Sequence, residues 1–152
     1  MKPIKYLEEI TLFHRHLDAK SSTVELLTSY AKLRHLYKKT GDEAYKNTSD
    51  CFPTERCPPD PIQILSPDQF EKELREAKNL SVQVQIAERV FDLLSAEMAR
   101  CSILGLKPPR GLVRKYCRVL TRHSEFYPVK TIVSVCAQNL SKCYPSGRYI
   151  RR

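Results

Sequence analysis

The chain has 152 residues, 41% hydrophobic and 28% charged, with eight Tyr, five Phe, no Trp and a net charge of +9. That suits one domain able to bury roughly two thirds of its unfolded surface, and four glycines among plentiful apolar residues exclude a collagen-like or broadly disordered chain. Apolar runs of only a few residues leave no transmembrane helix, and Lys2, Lys5, Glu8, Glu9 and Arg15 interrupt any apolar signal-peptide stretch.

The pattern from Pro3 to about Asp18 predicts a first helix. Pro3 suits an early helical position, and Ile4, Leu7, Ile10, Phe13 and Leu17 recur at three- and four-residue steps. A second helix follows Ser22, whose spacing to Glu25 is that of a capping box. Leu26, Tyr30, Leu33 and Tyr37 form its stripe, flanked by Leu27, Ala31 and Leu36. Lys38 and Lys39 suit its last turn and Gly41 a left-handed stop.

Residues 42–65 read as a long irregular connection. Five of the ten prolines lie between Pro53 and Pro67, and Cys57-Pro58-Pro59-Asp60-Pro61 cannot continue a helix. Ser66-Pro67-Asp68-Gln69 then starts a short helix with a narrow Phe70, Leu74, Ala77 face, which reads as a surface helix. From Ser81 to Leu104, the positions Val82, Ile86, Val90, Leu93, Leu94, Met98 and Cys101 predict a long central helix ended by Gly105. The alternation Val82-Gln83-Val84-Gln85-Ile86 would also suit a strand paired with Ile62-Gln63-Ile64, but length and spacing favour the helix.

Pro108-Pro109 opens a fifth helix reaching about His123, with Leu112, Val113, Tyr116, Val119 and Leu120 on its apolar side. Pro128 opens a sixth, carrying Val129, Ile132, Val133, Cys136 and Leu140. The expectation is an all-α single-domain bundle of five to six helices over residues 1–144, with a long Pro-rich loop at 42–65 and a basic tail at 145–152.

Charge is unevenly placed along this frame. Residues 1–100 hold 15 Lys/Arg against 16 Asp/Glu, while residues 101–152 hold 11 against the single acid Glu125. Within the basic third, Arg110, Arg114, Arg118 and Arg122 recur every four residues, and Lys115 adjoins the row. On a helix each step drifts by about 40°, giving a slowly winding ridge about 18 Å long beside the apolar stripe. Like charges at this spacing repel by a few tenths of a kcal/mol per pair, and guanidinium groups bind phosphate bidentately.

The ridge therefore points to a polyanionic partner: nucleic-acid phosphates contacted without base-specific readout, or an acidic protein surface. The second reading makes the chain a helical adaptor or scaffold subunit. An exposed basic face without a specific partner is the bland alternative, and Glu71, Glu73 and Glu76 could neutralise the ridge from within. No zinc-finger spacing, RNP-type strand or KH loop accompanies the charge.

Cys101, Cys117 and Cys136 fall on or beside apolar faces and read as small buried hydrophobes. Cys51 and Cys57 form a C-x5-C pair. With Cys143 and one of His14, His16, His35 or His123 they could complete a zinc site, but the spacing does not demand one, and neither metal nor cofactor is expected. The sequence has no P-loop, G-x-S-x-G, H-E-x-x-H or glycine-rich dinucleotide turn, so a non-enzymatic protein is expected. Asn47-Thr48-Ser49, Asn79-Leu80-Ser81 and Asn139-Leu140-Ser141 match the glycosylation pattern. They would matter in a secreted cytokine-like helical protein, a reading opposed by the charged N-terminal helix. A nuclear or cytoplasmic location is expected, the nucleus favoured only through the polyanion argument.

Overall fold

A computed structural model describes residues 4–18 and 22–123, with side chains from residue 8 onward in the first helix. Among these residues the chain is all-helical and fits a single helical domain. The elements are α1 (Ile4–Asp18), α2 (Thr23–Thr40), α3 (Glu43–Ser49), a 3-10 turn (Thr54–Arg56), α4 (Pro67–Glu76), α5 (Leu80–Leu104) and α6 (Arg110–Arg122). The helix expected from Pro128 and the 145–152 tail lie outside the described residues.

Helix boundaries follow local chemistry. Ser22, Asp42, Ser66 and Asn79 each accept a hydrogen bond from an otherwise unpartnered first-turn N–H. Gly105 (φ 70°) closes α5 in a Schellman motif: its N–H donates to the Ser102 carbonyl and that of Leu106 to the Cys101 carbonyl, at 3.3 and 2.8 Å. The alternating Val82–Ile86 segment lies wholly in α5, so the helical reading holds over the strand.

The 42–65 connection is more ordered than expected. Asp42 caps α3, and Tyr45 at 4% and Phe52 at 7% exposure are buried against the α1–α2 side. Phe52 meets Tyr30 of α2 edge-on, ring centroids 5.5 Å apart. Asp50 pairs with both Arg34 of α2 and Lys46. Seven residues form few internal hydrogen bonds, so packing against α2 rather than intrinsic propensity explains α3. The stretch from Pro58 to Leu65 lacks helix, as its prolines dictate.

Helix α4 is a surface helix with a narrow apolar face, as expected: apart from two residues its side chains are exposed or half-buried. Phe70 and Leu74 are both completely buried, while Ala77 lies beyond the helix in extended backbone. A narrow apolar face can still anchor a helix when both members enter a packed layer.

Helix α5 is the axis of the domain. One side packs with α4 and α6 through Phe70, Leu74, Val90, Phe91, Leu94, Met98, Tyr116, Val119 and Leu120. The other meets α1–α3 through Ala96 and Ala99, opposite Phe13, Leu26, Leu27 and Leu33. From Leu94 to Cys101 every residue is buried, Glu97 and Arg100 included.

Candidate nucleic-acid interface

The orientation of α6 decides what its charges meet. Val113, Tyr116, Val119 and Leu120 are buried and Leu112 half-buried. The Tyr116 hydroxyl donates to the Leu65 carbonyl, and its ring lies 5.7 Å from that of Phe70. Burial pushes the Tyr116 phenol up, so it remains a protonated donor. These anchors fix the rotation of α6 and turn Arg110, Arg114, Lys115, Arg118 and Arg122 outward, all exposed. Helix α6 itself carries no acid.

The 40° drift per step accumulates to about 120° between Arg110 and Arg122. It carries the C-terminal end of the ridge round toward α4. There Arg122 lies 3.6 Å from the Glu71 carboxylate, which also meets Arg75 at 3.7 Å and His123 Nε2 at 3.1 Å. Internal neutralisation thus reaches the last arginine through Glu71. Among the described residues, Glu73 and Glu76 form no ion pair with the ridge.

A groove of about 660 Å³ runs between α4 and the same end of α6, lined by Pro67, Asp68, Lys115, Arg118, Thr121 and Arg122. Among the described residues, no aromatic ring lines it. Its basic wall belongs to α6 and its acidic wall to α4.

The second charged cluster escaped sequence reasoning. Inside the domain, Arg100 forks onto Glu97, Nε to Oε1 at 2.7 Å and Nη2 to Oε2 at 2.8 Å. Arg100 Nη1 also donates to the Pro58 and Pro59 carbonyls at 3.3 and 3.0 Å, and Glu97 Oε1 accepts the Ile62 N–H at 2.9 Å. Pro58, Pro59 and Pro61 have no N–H of their own, so an arginine from α5 supplies donors to that segment. Burial works to raise the Glu97 carboxyl, but hydrogen bonds from Arg100 and Ile62 outweigh it and hold it below the usual carboxylate range. Its hydrogen bond to Glu97 raises Arg100 further above its ordinary value. The available signal was a Glu and an Arg three residues apart in a stretch of α5 flanked on every side by residues that become buried.

Cys101 is buried, its thiol 3.5 Å from Glu97 Oε2, and Cys117 is half-buried; Cys136 lies outside the described residues. Burial pushes both the Cys57 and Cys101 thiols up, which suppresses the thiolate that metal binding requires. Cys51 is exposed while Cys57 is buried, and no cluster of three metal-ligating side chains occurs among the described residues. No described helix is long and apolar enough to cross a membrane. The chain matches no protein-family model, no curated protein and no solved structure.

Proposed function

We propose that this protein is a non-enzymatic binding protein whose α6 face contacts the phosphate backbone of nucleic acid, RNA or DNA, without base-specific readout. The observation that carries the reading is the row of five exposed cations on a helix without an acid, set by a buried opposite face. Backbone contact needs charge at a roughly regular spacing on a rigid element, and it needs no base-reading groups. The one tyrosine of α6 is buried, so the outward face offers no ring on which a base could stack. Such a protein would act in the nucleus or cytoplasm.

The test is fluorescence anisotropy of the full chain with a labelled single-stranded RNA and a labelled DNA duplex, between 50 and 200 mM salt. Four or five phosphate contacts would give a log–log salt slope of about −3 to −4.5. Replacing Arg114 and Arg118 by Gln should reduce that slope by about 0.7–0.9 per lost contact and weaken binding alike across sequences. Absence of saturable binding to both probes, or a slope indifferent to these substitutions, would overturn the reading. Binding of an acidic protein that these substitutions abolish, with nucleic acid unaffected, would replace it by the adaptor reading.

A further inference from the structure

The ridge and the groove are not electrically equivalent. Lys115, Arg118 and Arg122 line the groove, whereas Arg110 and Arg114, nearer the start of α6, are not part of its lining. The opposite wall belongs to α4, whose ten residues include Asp68, Glu71, Glu73 and Glu76 against Lys72 and Arg75. A strand running through the groove would carry successive phosphates past Asp68 and Glu71, where like charge repels them. A strand end would place a single phosphate among the three cations and carry the rest of the chain back over the outer ridge.

We infer that the groove between α4 and α6 is a subsite for the terminal phosphate monoester of a nucleic-acid strand lying on the ridge. This rests on the phosphate-binding reading above. A monoester carries about −1.5 to −2 charges near pH 7 and has three free oxygens, against one charge on an internal diester. The three cations can meet more of those oxygens than of a diester's two. Arg122 reaches the groove from a position beside Glu71, so an arriving phosphate competes with that carboxylate for its guanidinium. The described lining offers cations and no ring to hold a base, which points to the phosphate as the recognised group.

The experiment compares one oligonucleotide sequence in three forms, with a 5′-phosphate, a 3′-phosphate or hydroxyls at both ends, each labelled internally and titrated with the full chain. One phosphorylated form should bind roughly fivefold tighter than the hydroxyl form, the gain expected of one added exposed charge contact. In the Lys115→Gln, Arg118→Gln double variant that advantage should vanish. In the Arg110→Gln, Arg114→Gln double variant all three forms should weaken alike while the advantage persists. If the three forms bind equally yet weaken with Arg114→Gln, the end-phosphate subsite is wrong and backbone binding stands. If the advantage survives loss of Lys115 and Arg118, the groove is not its source. If no form binds, both readings fall together.

Discussion

Arg100 and Arg118 are the same side chain in opposite electrical settings. Arg100 is 3% exposed, held in a two-bonded fork on Glu97 and capped by two proline carbonyls. Arg118 stands exposed in a row of like charges at the edge of a groove. The interior pair joins the Pro-rich segment to α5, and its charges are matched by neighbours before any partner arrives. The ridge side chains are exposed, and Arg122 at its end meets Glu71 of α4. An arginine tied up inside stabilises one conformation, whereas one left outside is available for recognition.

The largest expected effect breaks the interior half of this contrast. Arg100→Met leaves the buried Glu97 carboxylate without its fork and the proline carbonyls without donors, which should cost about 3–5 kcal/mol by urea denaturation. Adding Glu97→Leu should cost less than the two single losses combined, because it removes the stranded charge. The same pair sets an acid response. The folded-state pKa of Glu97 is depressed, so its contribution is present above the unfolded carboxylate value of about 4.3 and lost as pH falls through the folded value. Wild type should therefore lose stability below that pH more steeply than Glu97→Gln. Parallel acid limbs would show that the pair is not the source.

Leu120→Ala, in the fully packed seam behind the ridge, should destabilise by about 2–5 kcal/mol in the same assay. The smallest effect is the most discriminating. Arg114→Gln with Arg118→Gln should change stability by no more than about 0.5 kcal/mol while lowering the salt slope of nucleic-acid binding. A large stability loss there would mean that the ridge belongs to the fold as Arg100 does.

Several features were legible in the sequence because their causes are local. Ser22, Ser66, Gly41 and Gly105 mark helix ends through bonds or backbone angles spanning a few residues. The Tyr116, Val119, Leu120 stripe and the arginine row beside it follow from 3.6 residues per turn, and so the exposure of the ridge could be read in advance. Helix α3 could not, since seven residues between polar turns become a helix only when Tyr45 and neighbouring Phe52 find a surface to cover.

Sequence by itself determined where the helices of the described chain run, apart from α3, and which face of α6 carries charge. Tertiary structure alone decided that Glu97 and Arg100 lie inside, that Arg100 reaches back some forty residues to Pro58 and Pro59, and that Glu71 meets the end of the ridge. The physical reason is range. Capping and periodicity act within one or two turns, whereas the surroundings of a charge depend on how whole helices rotate and pack, which sets whether the same residue is solvated or must be paired.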